Sequence, residues 1–136
     1  MSFEYMLLFV FALMIFIVIG TVIYSNIQKT RQLESDAQYL AKQIKATAII
    51  ASLSETDIET NITLPTTLSQ RKVYVDIYKY PDNIVEVKEE DMMDNPEFIA
   101  KEFLPIIDPT GGNLENLSGD TITIRKQGNN ITISVQ

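Results

Sequence analysis

The sequence predicts an α+β protein, with a long N-terminal helix that changes from hydrophobic to amphipathic and a small C-terminal antiparallel β-rich head. Three observations lead to this prediction. Residues 5–28 contain no charge, residues 33–51 repeat apolar side chains at helical spacing, and two later segments alternate apolar and polar residues. We therefore divide the 136 residues into a helix over 1–53 and a head over 54–136.

Residues 1–28 form the apolar part of the predicted helix. Between Tyr5 and Tyr24, only Gly20 and Thr21 are neither aliphatic nor aromatic. About twenty such residues, each adding about 1.5 Å, span the ~30 Å hydrocarbon layer of a membrane. The alternative, a buried core helix, is disfavoured because so short a chain has little other mass to cover it. A cleavable secretory signal fits poorly, since no basic segment precedes the apolar run.

Residues 29–53 continue the helix with an amphipathic pattern. Seven small or aliphatic residues follow the helical period, namely Leu33, Ala37, Leu40, Ala41, Ile44, Ala48 and Ala51. No proline occurs before Pro65, so one continuous helix is expected from about residue 3 to about residue 53. Its apolar stripe requires a partner, which the head would supply.

The head is predicted to contain two β-hairpins. Residues 72–88 alternate around a turn at Pro81-Asp82-Asn83, and residues 121–135 alternate around Gln127-Gly128-Asn129-Asn130. One antiparallel sheet with a single apolar face, laid over the helix stripe, would bury both surfaces.

A short helix is predicted between the two hairpins. Residues 94–97 combine a capping side chain, a proline and an acid, which is typical of a helix N-terminus. Phe98, Ile99 and Phe103 would pack one side of this helix, and Pro105 would end it. Residues 108–113 are expected to form a loop.

The composition argues against catalysis. Cysteine, histidine and tryptophan are absent, which excludes disulfides, thiolate or imidazole zinc sites and Ser-His-Asp relays. A net charge of −7 argues against a nucleic-acid partner. Two acidic groups could hold a hard cation such as calcium, but their spacing favours solvated loops. They are Glu89, Glu90, Asp91 and Asp94, and Asp108 with Asn113, Glu115 and Asp120. We therefore expect no enzyme, no cofactor and no resident metal.

Two further features concern the cell surface. Glu4 lies directly before the apolar run. A lone carboxylate there is costly if lipid or protein buries it, and it is favoured by the positive end of the helix dipole if it stays at the membrane surface.

Three asparagines, Asn61, Asn116 and Asn130, each begin an N-X-S/T sequon and are candidate N-glycan acceptors if the head lies outside the cell. The alternative for these short motifs is chance occurrence.

The start of the chain resembles a known family. Met1-Ser2-Phe3-Glu4-Tyr5, followed by the apolar run, resembles the start of mature archaeal type IV pilins, the proteins with class III signal peptides. Their processed chains begin Gln-x-Ser-x-Glu, which Ser2 and Glu4 match. Residues 36–41, 62–65 and 73–75 are similar as well; beyond about residue 80 the likeness is only architectural. The basic leader and the leading glutamine are missing here, so we expect a mature or near-mature chain.

The resemblance implies a structural subunit of an extracellular archaeal pilus that serves surface adhesion. Such a subunit is inserted in the cell membrane, is processed by a prepilin peptidase, and is assembled by pilus machinery into a helical filament of identical subunits. Its apolar helices form the filament core, and its sequon-bearing loops face solvent. The residues implied in assembly are Ser2, Phe3, Glu4, Tyr5, Leu8, Phe9, Ala12, Phe16 and Gly20. In that family the glutamate is thought to set the register of an incoming subunit.

Other functions remain open at this point. The chain could be a minor pilin that primes or tips a filament, or a subunit or accessory of an archaellum. It could also be a single-pass membrane protein whose head binds a partner and never polymerises. Only the single-pass membrane protein would keep its apolar helix in lipid; in the other cases the helix would leave the membrane for a filament core.

Overall fold

The computed structural model describes residues 2–89, 99–105, 107 and 112–136. One long apolar helix is followed by an antiparallel β region, so the predicted α+β layout is confirmed in outline. The elements are helix α1 (Phe3–Leu53) and strands β1 (Ile58–Thr63), β2 (Thr67–Leu68), β3 (Arg71–Tyr78), β4 (Ile84–Glu89), β5 (Ala100–Phe103), β6 (Leu114–Leu117), β7 (Thr121–Gln127) and β8 (Asn130–Val135). The chain divides into two compact units, Met1–Gln32 and Leu33–Gln136.

The first unit consists of the apolar part of α1. The helix begins at Phe3, as predicted, and every described side chain of this unit is exposed. Its two threonines bond within the helix: the Thr21 hydroxyl donates to the Ile17 carbonyl at 2.8 Å, and the Thr30 hydroxyl donates to the Asn26 carbonyl at 3.0 Å. The unit therefore has no buried side of its own among its described residues.

The second unit contains the rest of α1 and all the strands. The predicted helix stripe is confirmed, since the buried residues of α1 are Leu33, Ala37, Leu40, Ala41, Ile44, Ala48 and Ala51. These residues share one core with apolar strand residues such as Val75, Val85 and Ile124. Burial of the stripe against strands accounts for an amphipathic helix whose other faces carry lysines and acids.

Polar contacts within the second unit bind the helix to three separate strands or turns. Lys45 Nζ lies 3.1 Å from Glu102 Oε2, and the Ser69 hydroxyl donates to Asp36 Oδ2 at 3.1 Å. At the end of α1, Lys126 Nζ donates to the Ser52 carbonyl at 3.4 Å and also contacts the Ser54 carbonyl. The last turn of α1 contains no basic residue, so this lysine from β7 supplies the cation that helix C-termini favour.

The strands form two sheets, so the prediction of a single sheet was wrong. One sheet has the order β1-β7-β8, and the other contains β2-β3-β4-β5 with β6 also paired to β3. The two predicted hairpins lie in different sheets, and β1 joins the second hairpin with Ile62 opposite Ile122 of β7. Strands β1, β2 and β6 are short or largely polar, and their sequences carry no clear alternation.

Both predicted hairpins are confirmed. In the first, β3 and β4 pair with Val75 opposite Val87 and Tyr78 opposite Ile84. In the second, Gln127 of β7 lies opposite Asn130 of β8, which leaves a two-residue connection. Gly128 occupies its first position with φ of 60°, a backbone conformation that glycine adopts without steric cost.

The predicted short helix was wrong over the residues that can be compared. Residues 100–103 form β5, which pairs with the open edge of β4 and sets Ala100 opposite Val87. Phe103 is 67% exposed and does not pack a helix face. An unpaired strand edge offers this segment backbone partners, which outweighs its modest helix propensity. The predicted helix start at 94–97, Phe98 and most of the predicted loop at 108–113 lie outside the described residues.

Candidate functional site

The described surface most in need of a partner is the N-terminal apolar surface, which we define as residues 3–24 of α1. Eighteen large hydrophobic side chains lie there, exposed by 46% at Val10 to 76% at Phe16. The most apolar window of α1 has a mean hydropathy of 3.0, none of it buried, and the helix is long and apolar enough to cross a membrane. Such a surface far exceeds the apolar patches of soluble monomers. It requires lipid or other apolar helices around it.

All nine residues implied in assembly lie in the first unit and are exposed, namely Ser2, Phe3, Glu4, Tyr5, Leu8, Phe9, Ala12, Phe16 and Gly20. Around Gly20 the space that a side chain would fill is open. Small residues on an apolar helix let a second helix approach closely. These positions are therefore compatible with helix–helix packing on the N-terminal apolar surface.

Glu4 lies in the first turn of α1, beside an apolar groove that is also lined by Phe3, Leu7, Leu8 and Phe11. Among the described residues, its carboxylate has no hydrogen-bond or ion-pair partner. The first turn of a helix favours a negative charge through the helix dipole. Once apolar surfaces enclose it, however, the carboxylate needs a partner from another molecule.

The three sequon asparagines are exposed, but they lie on strands, whereas loops were expected. Asn61 is on β1, Asn116 on β6 and Asn130 at the start of β8. The Thr123 hydroxyl donates to Asn61 Oδ1 at 2.9 Å, and the Asn61 amide nitrogen donates no hydrogen bond to the described residues. In the sequon of Asn116, the hydroxyl of Ser118 is buried and has no described partner. Asn61 and Asn130 are therefore the better placed acceptors.

Sequence reasoning missed a buried polar group on β3. The face of β3 opposite the core carries Tyr74, Asp76 and Tyr78, a pattern that indicated exposure to solvent. Asp76 is instead fully buried. Lys88 Nζ contacts its Oδ2, and the Asn116 backbone N–H donates to its Oδ1 at 2.8 Å. Partners this distant in sequence leave no local signal in the alternation of β3.

Asn116 reaches Asp76 through an irregularity in β6. Val75 of β3 pairs with Leu117, and Ile77 pairs with Leu114, so two residues of β6 face one residue of β3. Asn116 lies in this bulge with φ of 56°, a left-handed conformation that asparagine tolerates better than most residues. The bulge thus aims a backbone N–H at the Asp76 carboxylate.

Glu86 lies directly opposite Asp76 in the β3–β4 register and is 5% exposed. Its Oε2 has no hydrogen-bond partner among the described residues. Burial raises the pKa of Glu86 above its usual 4.5; Lys101 and Lys88 oppose that shift, and Asp76 adds to it. Because the folded head holds this proton more tightly than the unfolded chain, the Glu86 contribution to stability falls as pH rises above 4.5.

Tyr78 belongs to the same polar group. Burial, and next the charge of Asp76, raise the pKa of the Tyr78 phenol to about 12. Its hydroxyl lies 3.4 Å from Asp76 Oδ2 and can donate to it. The phenol therefore keeps its proton at neutral pH and acts as a donor to the carboxylate.

The acidic groups considered as cation sites, for which solvated loops were favoured, are only partly described. Glu89 accepts from Arg71 Nη1 at 3.2 Å, whereas Glu90, Asp91, Asp94 and Asp108 lie outside the described residues. Asn113 Oδ1 accepts from the Lys79 N–H, and Asp120 Oδ2 from the Ser118 N–H. Within the described ranges, no three acidic side chains come close enough to hold a metal ion.

No protein-family model, curated protein or solved structure matches this chain. Two features of the described residues bear on its function: the N-terminal apolar surface with Glu4 beside it, and the buried polar group around Asp76 in the head.

Proposed function

We propose that this protein is a structural subunit of an extracellular archaeal type IV pilus, with a pilin-like fold, that polymerises through its N-terminal helix for surface adhesion. The observation that carries the proposal is the complete exposure of the N-terminal apolar surface. The resemblance of residues 2–24 to the start of mature archaeal type IV pilins supports it.

The apolar surface restricts the possible environments of the first unit. A monomer in water would hydrate eighteen large apolar side chains, and about 25 cal/mol per Å² of that area is recovered when they are buried. Lipid provides this burial before assembly, and neighbouring copies of the same helix provide it in a filament. The pilus proposal thus requires two successive environments, the cell membrane and then the filament core.

Glu4 gives the filament environment its specificity. A carboxylate among apolar helices is stable only where a hydrogen-bond donor or cation meets it, so a misplaced subunit leaves an unpaired charge. Lipid contacts alone impose no such condition on position. In this proposal Glu4 therefore sets the register of each incoming subunit, while the apolar residues supply most of the binding energy.

The head would coat the filament and face the surroundings. The residues from 54 onward carry fifteen of the eighteen acidic side chains and seven of the eleven basic ones. A net negative, hydrated head suits the outer layer, and the exposed Asn61 and Asn130 could carry glycans there. A prepilin peptidase and the pilus assembly machinery would act on the subunit before it joins the filament.

One other function has specific support. The apolar segment matches the thickness of a bilayer, which fits a single-pass anchor for a head that binds a partner. A minor pilin or an archaellum subunit or accessory would share the helix and the head, so neither is favoured by a distinct observation. The anchor differs from all filament subunits because its helix never leaves lipid.

Shearing of cells tests the proposal. The sheared material is examined by electron microscopy, and the subunits of any fibres are identified by mass spectrometry. We expect this chain as the main subunit of thin extracellular fibres, and a deletion strain as control should lack them. Recovery only as a detergent-extracted monomer would contradict the proposal and favour the anchor. A low copy number of this chain in the fibres would indicate a minor pilin. Loss of swimming in the deletion strain would indicate an archaellum subunit or accessory.

A further inference from the structure

Three ionisable side chains lie next to one another on the face of the five-stranded sheet opposite Val75 and Val85. Asp76 of β3 lies directly opposite Glu86 of β4, and Lys88 follows two residues later on the same face of β4. Directly opposed residues have Cβ atoms about 5 Å apart, and diagonal neighbours about 7–8 Å, within reach of a lysine. Lys88 Nζ contacts Asp76 Oδ2.

This group differs from the surface ion pairs of the same chain. The Asp76 side chain is 1% exposed and that of Lys88 22% exposed, whereas Arg125 and Glu59 are each nearly half exposed. Glu86 is also buried, and its Oε2 has no described partner. A lysine, an aspartate and a second buried acid thus share a site with little water around them.

We propose that Lys88 and Asp76 condense to an intramolecular isopeptide bond, with Glu86 as the group that transfers protons. The geometry carries this assignment: the Lys88 amine contacts the Asp76 carboxyl group, Glu86 lies opposite Asp76 and on the same face of β4 as Lys88, and Asn116 donates to the Asp76 oxygen that stays. The inference concerns the head alone and does not depend on polymerisation.

The reaction balances without any co-reactant. A proton first passes from the Lys88 ammonium to the Asp76 carboxylate, which leaves a neutral amine and a neutral acid. Lys88 Nζ then attacks Asp76 Cγ, and a C–N bond forms. The neutral Glu86 carboxyl gives its proton to the departing Asp76 hydroxyl and takes one from Nζ, so the C–O bond breaks and water leaves. Nothing is oxidised or reduced, and Glu86 regains its original state.

Three features of the site favour this reaction. The Asn116 N–H lies 2.8 Å from Asp76 Oδ1 and would stabilise the negative charge that this oxygen gains in the tetrahedral intermediate. Burial raises the pKa of Glu86, so its carboxyl group holds a proton over a wider pH range than an exposed glutamate does. Contact between amine and carboxyl in the folded head replaces a bimolecular encounter, which accelerates such reactions strongly.

The bond would serve a head that contains no cysteine. It would join β3 to β4, the two longest-paired strands of the five-stranded sheet, and would close residues 76–88 into a covalent ring. A disulfide performs this task in many extracellular domains. An amide does so without a redox partner and survives reducing conditions.

Intact mass spectrometry of the full-length chain, purified and denatured, tests the inference. We expect the wild-type mass to lie one water below the sequence mass, with the peptides of Asp76 and Lys88 joined after digestion. Lys88→Arg should restore the full mass. Asp76→Asn should release ammonia and yield the same cross-linked mass as the wild type. Glu86→Gln should leave most of the chain unjoined, with its β circular-dichroism signal retained.

Lys45 and Glu102 provide an internal control. Their side chains are 3.1 Å apart, but they are more exposed than the Asp76 group. Their peptides should remain separate in the same digest. A folded wild-type chain at the full sequence mass would overturn the inference. So would a water loss that persists in Lys88→Arg, because it would then arise from cyclisation elsewhere.

Discussion

At the scale of single residues, Glu4 is the side chain whose pairing with a neighbouring subunit would order the assembly. It is the only charged residue before Lys29, and it lies in the first turn of α1 among apolar neighbours. A residue that only marked the membrane surface would tolerate neutral replacement. A residue that pairs with a neighbouring subunit would not, because its loss leaves the partner group buried and unsatisfied.

We therefore predict that Glu4→Ala and Glu4→Gln reduce the yield of sheared fibres by about tenfold or more, because each leaves a buried partner unpaired. The protein should remain in the membrane in wild-type amounts, as immunoblots of the membrane fraction would show. Glu34→Gln, at an exposed acid of the same helix, is the matched control and should assemble normally. Wild-type fibre yield from the Glu4 variants would remove this residue from the account.

The burial of Asp76 could not be predicted from the local sequence of β3. Alternation correctly assigned Asp76 to the face of β3 opposite the core residues Val75 and Ile77, but that assignment implied exposure. Its burial depends on Lys88 from the next strand and on Asn116, forty residues later in the chain. Such contacts depend on the tertiary fold, because nothing in the local pattern of β3 specifies what covers it.

At the scale of elements, α1 was predictable in full. Its start, its end and all seven buried residues followed from hydrophobic periodicity and from the absence of proline. The residues that a helix buries recur every three or four positions in one continuous stretch of sequence, so the buried face is visible locally. Ile44, at the centre of the buried stripe, is the largest of its fully buried residues together with Leu33.

We predict that Ile44→Ala destabilises the head by roughly 2–5 kcal/mol, because it leaves a cavity in the core. Ile50→Ala is the control, since Ile50 lies on the same helix but is 66% exposed, and it should change stability by no more than about 0.5 kcal/mol. Denaturant unfolding of the detergent-solubilised chain, followed by its β signal, measures both. Equal effects of the two substitutions would show that the stripe does not carry the packing of this unit.

The strands were predictable only where they alternate. Strands β3, β4, β7 and β8 have apolar residues at every second position and formed the expected hairpins. Strand β5 has the sequence Ala-Lys-Glu-Phe and exists because β4 offers an open edge. Its pairing is a long-range property, so helix-like signals before it led to the wrong element. The division into two sheets was missed for a related reason, because the alternation within each hairpin does not specify whether the two hairpins pair with each other.

At the scale of the whole molecule, the sequence separates apolar surface from charge. Residues 5–28 hold no charged side chain, whereas the residues from 54 onward have eight more acids than bases. The first unit needs an apolar surrounding, and the second is a hydrated domain with its own core. This separation suits a subunit whose helix lies inside a polymer and whose head lies outside. Composition predicted it, but composition alone does not distinguish neighbouring helices from lipid as the final surrounding.

Photo-cross-linking from within the N-terminal apolar surface tests that distinction most directly. A photoreactive phenylalanine analogue replaces Phe9 or Phe16 in separate variants, cells are irradiated, and sheared material and membranes are analysed by mass spectrometry. The account predicts covalent adducts between two copies of this chain, joined through residues 3–28 and recovered in extracellular fibres. Adducts to lipid alone, on single chains that remain in the membrane, would contradict it.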